Sequence, residues 1–458
     1  MAKKIVEKVK AAGVVGAGGA GFPTHVKMDS QVEWVIANGA ECEPLLQVDE
    51  QLMTSHVEEV LAGLDLVMQA TGASKGVVAL KREYEGAVAA LEEVMGRYPR
   101  VSLHLLGSYY PSGDEFLLVY EVTDRLVPEG GIPLEVDVVV QNVNTLINIA
   151  AAQQGIPVTH RHLTVIGEVN NPKTVRVPVG TSVAAVIDLA GGLKQPPPRA
   201  NYRPVLSPDS ANYALVSGGP MMGHLVDFDS PVVKTMGGLL VLPWENETVR
   251  RLAESMDTAV RRGRSTCDQC RDCTDLCPRY LLGHELMPHD VMRAIGYGLS
   301  ELSRTVTAAV LCCECRLCEA YACPLHLSPM AFYRKIKQDL TAQGWKNTRH
   351  RRRDLQPHPF RDERKVPVRR LMDRLGLNHY RGIKAPLDER DFEPPSVRIP
   401  LRQHLGTPAK PTVKVGDAVQ QGDLIAAIPR RKLGANVHAS ISGKVEEVVA
   451  GEYIAIAA

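Results

Sequence analysis

The chain has 458 residues, with 53 Lys+Arg against 52 Asp+Glu for a formal net charge of +1, 45% hydrophobic residues and 5% aromatic residues. That length suggests about three domains at roughly 150 residues each. Balanced charge and sparse aromatics exclude a surface built to track nucleic acid or anionic lipid, and no apolar run reaches the roughly 18 residues of a membrane span.

The first residues, MAKKIVEKVKAAG, carry early charges but no apolar segment of secretory type. They read as an amphipathic helix with Ile5, Val6 and Val9 on one side. The expected location is therefore the cytoplasm, where disulfides are rare and clustered cysteines read as metal ligands or redox centres. Next comes Gly16-Ala17-Gly18-Gly19-Ala20-Gly21-Phe22-Pro23-Thr24, followed by Lys27. Glycines let a backbone approach a phosphate and offer it N–H groups; tight packing explains such a loop equally well.

Through residue 155 the pattern alternates. Gly76–Leu80, Val101–Leu106 and Val136–Val140 read as strands. Tyr84–Tyr98, Glu115–Arg125 and Val143–Ala152 read as helices, which implies an α/β domain, Rossmann-like with a largely parallel sheet, over 1–155. Residues 156–242 shift to β-branched strands (Leu163–Val169, Thr174–Pro178), one helix (Ser182–Ala190) and a Gly/Pro-rich loop (Gly191–Pro198). Residues 243–335 are mostly helical and hold nine of the ten cysteines.

Those cysteines form two motifs, Cys267-x2-Cys270-x2-Cys273-x3-Cys277-Pro278 and Cys312-x2-Cys315-x2-Cys318-x4-Cys323-Pro324. Three thiolates two residues apart curl the backbone around one cubane. In two-cluster ferredoxins the fourth cysteine, before proline, ligates the other cluster. That rule assigns Cys267, Cys270, Cys273 and Cys323 to one [4Fe–4S] cluster, and Cys312, Cys315, Cys318 and Cys277 to the second. Paired Cys-x2-Cys also builds zinc ribbons, but triple spacing repeated twice does not suit tetrahedral zinc. Cys313 neighbours Cys312 and is a possible substitute for it; the expectation for Cys313 and for the isolated Cys42 is packing as small apolar residues.

Residues 336–395 carry the basic run Arg349-His350-Arg351-Arg352-Arg353 and many prolines, and read as a linker. Lacking interleaved aromatics, the run is expected to be solvated or to meet an acidic partner. Residues 396–458 read as a small all-β unit with turns at Val415-Gly416-Asp417, Gln421-Gly422-Asp423 and Ser442-Gly443-Lys444.

Three segments carry a resemblance. The glycine-rich loop resembles the flavin loop of the NADH-oxidising, FMN-carrying subunit of respiratory complex I. Asn38-Gly39-Ala40-Glu41-Cys42-Glu43-Pro44 resembles that family's next motif, and Gln141-Asn142-Val143-Asn144-Thr145-Leu146 a third. The resemblance implies FMN contacts from Gly16, Gly18, Gly19, Gly21, Lys27, Asn38, Glu41, Glu43, Asn142 and Thr145. It brings Tyr110–Glu115, including Gly113 and Glu115, near flavin or nucleotide. Ala17, Ala40 and Asn144 depart from that family's Arg, acidic residue and Glu.

The remaining segments resemble a soluble-ligand-binding β-grasp (SLBB) domain at 156–242 and, at 396–458, the barrel-sandwich hybrid of the RnfC subunit of the Rnf membrane complex. RnfC carries that piece at its N-terminus. The order found here resembles the cobalamin reductases of propanediol-utilisation microcompartments. What this implies is NADH-dependent reduction of cobalamin toward cob(I)alamin, with a cobalamin adenosyltransferase and a microcompartment shell protein as further partners. The alternative is an RnfC-like relay between NADH, flavin and a protein partner. Lys432 lies near the carrier position of lipoyl and biotinyl hairpins, but Arg430 and Arg431 replace the acidic flank, and an unmodified lysine is expected.

Overall fold

The structure is a computed structural model describing residues 1–195, 212–298 and 303–458. The N-terminal helix Ala2–Ala11 buries Ile5 and Val9, as its amphipathic pattern requires. Five strands follow: β1 (Trp34–Gly39), β2 (Lys75–Lys81), β3 (Val101–Leu106), the two-residue β4 (Tyr109–Tyr110) and β5 (Val138–Asn142). Four of them make a sheet of order β3-β2-β1-β5, parallel throughout. Both faces are covered, so the strands read as apolar runs. Val35 and Ala37 of β1 share a core with Leu64 and Leu146 from the helices Val57–Thr71 and Val143–Gln153. Ile36 points the other way, to Leu118 and Val119 of helix Glu115–Thr123. The central β1 and the helices Val48–Ser55 and Val57–Thr71 are elements that the sequence pattern does not single out.

The second unit contains β6 (His160–Gly167), β7 (Lys173–Pro178), β8 (Tyr213–Ser217), β9 (His224–Val226) and β10 (Gly238–Pro243). One helix, Val183–Leu189, is capped by the Ser182 side chain and packs Val183, Val186 and Ile187 onto the sheet. Of the expected loop Gly191–Pro198, residues 196–198 lie outside the described residues.

Residues 336–395, expected as a linker, are woven into the first two units and also bond to the cysteine-bearing one, through Arg352 to Gly283 and Arg374 to Cys323. Here β11 (Val366–Pro367) pairs with β4, and β12 (Leu387–Asp388) joins β7 to complete a six-stranded sheet. Helix Val368–Arg374 buries Leu371 and Met372. The basic run meets acids of the first unit: Arg352 contacts Glu129 and Arg353 contacts Glu135, each at 2.8 Å. Further along, Arg361 pairs with Glu121. Proline and arginine thus serve a crossing segment that exchanges local secondary structure for contacts with acids distant in sequence.

The last unit holds β13 (Ser396–Pro400), β14 (Lys410–Pro411), β15 (Ala418–Val419), β16 (Leu424–Ala427), β17 (Val437–His438), β18 (Gly443–Val449) and β19 (Tyr453–Ala457). They form open sheets of order β13-β19-β18-β15 and β14-β16-β17 around Ile399, Ile425, Val437 and Ile456. Two of the expected turns close in the same way: Asp417 accepts from the Lys414 amide and Asp423 from the Gln420 amide, both at 2.8 Å.

Candidate functional site

In a parallel sheet of order β3-β2-β1-β5, the chain leaves β1 for one side and returns on the other. The crevice at the carboxyl ends of β1 and β5 is the topological switch point, where α/β sheets bind ligands. Asn38 lies near the end of β1 and Asn142 ends β5. The Asn38 side chain accepts from the Ala40 amide at 3.1 Å and donates to the Gly113 carbonyl at 3.0 Å. A Cβ on Gly113 would stand 2.3 Å from the Ala40 carbonyl oxygen, so the two motifs lock at a glycine. Asn142 caps helix Val143–Gln153 through the Asn144 amide and donates to Asp49 at 2.7 Å.

The glycine loop lies over this end. Its Ala17 amide donates to Thr145 Oγ1 at 2.9 Å, and its Ala17 carbonyl accepts from Arg161 at 3.0 Å. A Cβ on Gly18 would come 3.0 Å from Asn142, whereas one on Gly19 would meet nothing within 4 Å. Lys27 reaches across to Glu115 at 2.7 Å. Both carboxylate oxygens of Glu43 accept backbone amides, from Met221 and Met222 at 2.9 and 2.8 Å, so Glu43 fastens the motif to the second unit. Beside Glu41 and Glu43 opens a cavity of about 640 Å³ whose walls include Lys81, Tyr84, Tyr380 and Arg381.

Burial governs the charges here. It raises the Glu41 carboxyl, pushes Glu43 up to about 8, and, with the nearby Glu41 charge, takes Asp49 up to about 7. The Arg161 guanidinium is brought down to about 10 by the same desolvation. Asp49 and Arg161 carry no local motif; their role emerges from the fold. Buried polar atoms without a partner among the described residues flank the crevice: Ser112 Oγ, Gln141 Nε2, Asn144 Nδ2 and Arg161 Nη1. Glycine-lined space and spare donors fit a phosphate-bearing, acceptor-rich cofactor such as FMN.

The cysteines gather in two sets. Cys267, Cys270, Cys273 and Cys323 line one small cavity. Cys312, Cys315, Cys318 and Cys277 form the second set, the last three buried, with Cys318 and Cys273 sharing contact with Met330. The backbone repeats itself: Gln269 and Arg271 flank Cys270 at positive φ, and Glu314 and Arg316 flank Cys315 likewise. Non-glycine residues in that region store strain at a site that demands it. In this register Cys312 stands with Cys267, and Cys313 with Asp268. Cys313 and Cys42 pack at the edge of a hydrophobic cluster around Tyr110.

Burial pushes the thiols of Cys273 and Cys277 up to about 12, so holding them as thiolates needs a bound cation or cluster. Tetrahedral zinc would draw sulfurs to about 3.8 Å apart. Among the described residues, the one group of three or more ligand-type atoms gathered within 4.8 Å contains no cysteine. The wider spread suits cubanes. N–H groups of Gln269, Glu314 and Leu327 each lie 3.3 Å from Cys267, Cys312 and Cys323 sulfur respectively.

One loop joins the two centres. From it, the Tyr110 hydroxyl donates to the Cys315 carbonyl and the Asp114 carboxylate takes both Nη atoms of Arg279 at 2.6 and 3.0 Å. A glycine cradle at a parallel-sheet switch point, tied by one loop to two four-cysteine sets, defines a flavin and iron–sulfur electron-transfer protein. Family models agree by segment: the Nuo51 FMN-binding domain matches residues 9–151, the SLBB domain 163–224, the 4Fe-4S dicluster domain 266–328 and the RnfC barrel sandwich hybrid domain 385–455. The chain is 43% identical over 451 residues to cobalamin reductase PduS of Citrobacter freundii, covering 98% of this chain and 95% of that one. It is also 43% identical over 449 residues to PduS of Salmonella typhimurium, with the same coverage of each. The protein belongs to the PduS cobalamin reductase family. A more distant relative is a subunit of the Na(+)-translocating ferredoxin:NAD(+) oxidoreductase complex of Acetobacterium woodii, 36% identical over 61% of this chain and 59% of its own length. No helix among the described residues is long and apolar enough to cross a membrane.

Proposed function

We propose that the protein is an NADH-dependent flavin/iron–sulfur oxidoreductase that reduces cobalamin toward cob(I)alamin, recycling coenzyme inside or beside a bacterial microcompartment. The chemistry supplied by bound FMN is conversion of the electron pair of one hydride into single electrons, and that of two cubanes is one-electron storage at fixed spacing. In this reading the backbone at Gly16, Gly18, Gly19 and Gly21, with Lys27, Asn38, Glu41, Gly113, Glu115, Asn142 and Thr145, holds the flavin. Glu43 fixes the motif from behind, and Asp49 and Arg161 orient Asn142 and the loop. NADH enters through the cavity beside Glu41.

Cys312, Cys315, Cys318 and Cys277 hold the cluster nearer the flavin. Cys267, Cys270, Cys273 and Cys323 hold the outer one, and the exposure of Cys270 supports an acceptor approaching from that side. Cobalamin, alone or presented by an adenosyltransferase, is the proposed acceptor, and a shell protein the proposed neighbour. The observation that carries this reading is the Tyr110–Glu115 loop, which closes the crevice and bonds to both Cys315 and Arg279. Protein reconstituted anaerobically with FMN, iron and sulfide is expected to oxidise NADH with cobalamin as acceptor. Reduction of an artificial dye without cobalamin turnover would instead support a relay, the reading that the likeness to the Acetobacterium woodii protein favours.

A further inference from the structure

Away from both centres, three segments bring metal-ligating side chains to one point. His56 sits at the junction of helices Val48–Ser55 and Val57–Thr71, His162 lies on β6, and Glu389 follows β12. His56 Nε2 and His162 Nε2 lie 2.8 and 3.0 Å from the same Glu389 oxygen, and the three ligand atoms fall within 4.8 Å of one another. The imidazole rings stand 6.0 Å apart and tilted by 55°, so both nitrogens aim at a common centre without stacking. On the far side of the His56 ring, Nδ1 faces the Glu59 carboxylate at 3.8 Å, beyond direct hydrogen-bond reach. Neighbouring charges are engaged elsewhere: Lys173 and Arg390 with Asp388, and Arg176 with Asp391.

We infer that His56, His162 and Glu389 bind a single divalent transition-metal ion of Zn²⁺ type, which clasps the flavin-type unit, the β-grasp unit and the crossing segment. Two imidazoles and one carboxylate form a three-ligand zinc set, with a fourth position left to water. Ligand atoms around tetrahedral zinc stand about 3.3 Å apart, so each contact opens by only a few tenths of an ångström to admit the ion. Bound there, the ion ties together residues more than a hundred positions apart and raises the unfolding temperature by mass action.

The test uses the FMN- and cluster-loaded protein, treated with a mild chelator and titrated with Zn²⁺. One Zn²⁺ per chain is expected, with a zinc-edge X-ray absorption spectrum showing a nitrogen/oxygen shell at roughly 2.0–2.1 Å. Glu389→Gln and His162→Gln are each expected to weaken Zn²⁺ binding by more than the roughly tenfold to hundredfold cost of losing an outer-shell partner. Flavin and cluster absorbance should be retained; if His162→Gln loses them, the half-exposed Glu389→Gln decides. A sulfur shell at zinc, binding unchanged in Glu389→Gln, or no micromolar binding by the parent protein would overturn the assignment.

Discussion

The Tyr110 hydroxyl donates a 2.8 Å hydrogen bond to the Cys315 carbonyl oxygen, linking the loop that closes the flavin crevice to the backbone of a cluster-binding cysteine 205 residues away. Both partners are buried. Tyr110→Phe keeps the ring and leaves a buried carbonyl without its donor, at a cost of about 1–3 kcal/mol. Urea unfolding followed at the cluster absorbance should move to lower denaturant with iron and flavin content unchanged. An unmoved midpoint would show that the bond contributes nothing.

Arg279 follows Cys277 by two residues, pairs with Asp114 through both Nη atoms, and lies 4.0 Å over the Phe116 ring. The two charged side chains are 7% and 12% exposed. Asp114 also accepts the Phe116 and Leu117 amides at the start of helix Glu115–Thr123. Arg279→Ala leaves that carboxylate buried without its cation, a change of roughly 3–5 kcal/mol. Thermal unfolding of the loaded protein should fall well below the parent, and more steeply than for Tyr110→Phe.

Gly19 and Gly113 differ in what an added side chain would meet. A Cβ on Gly113 would overlap the Ala40 carbonyl, while one on Gly19 meets open space. Gly113→Ala should therefore disturb the apo protein, seen as a lower unfolding temperature before flavin is added. Gly19→Val should leave apo stability near the parent value yet weaken FMN at least ~10-fold, about 1.4 kcal/mol. Equal flavin affinity in Gly19→Val would mean that the loop does not face the cofactor.

The cysteine sets were readable because their spacing is local, and the repeat of positive φ around Cys270 and Cys315 is the backbone counterpart of that spacing. The flavin motifs were readable as short segments whose partners the fold then supplies: Ala17 with Thr145, Asn38 with Gly113, Lys27 with Glu115. Other features are properties of tertiary contact. Asp49 opens an ordinary helix turn and matters only because Asn142 arrives beside it. Strand β1 is buried on both faces and shows no alternation to mark it. The segment 336–395 reads as a linker by composition because the acids it meets, Glu121, Glu129 and Glu135, lie more than 200 residues away.

Two buried acids set a pH dependence. Burial places the folded-state Asp49 near 7 and Glu43 near 8, above the ordinary carboxylate range of about 4. The folded state then binds more protons than the unfolded state between those limits, so stability is fully present below about pH 4 and declines as pH rises toward 8 for these groups. Asp49→Asn still offers an oxygen to Asn142 and carries no titrating proton. The buried His25, His160, His284 and His438, held near 4, act with the opposite sign and are common to both proteins, so the check is a difference: the unfolding free energy of the parent apo protein should fall relative to that of Asp49→Asn from pH 5 to 8. Identical slopes would show that Asp49 keeps an ordinary pKa.

The backbone repeat separates Cys312 from Cys313. Glu314 and Arg316 at positive φ match Gln269 and Arg271, which sets Cys312 opposite Cys267 and Cys313 opposite the non-ligand Asp268. The Glu314 amide also points to the Cys312 sulfur at 3.3 Å. Iron in the reconstituted parent should approach about eight per chain, as two cubanes require. Cys313→Ser should retain that value, whereas Cys312→Ser and Cys267→Ala should each lose about half of the iron and one reduced-cluster signal in electron paramagnetic resonance. Flavin content should stay near the parent level in all three, because the glycine cradle is built from β1, β5 and the Tyr110–Glu115 loop rather than from the cysteines. Loss of a cluster in Cys313→Ser, with Cys312→Ser intact, would shift the ligand register by one residue.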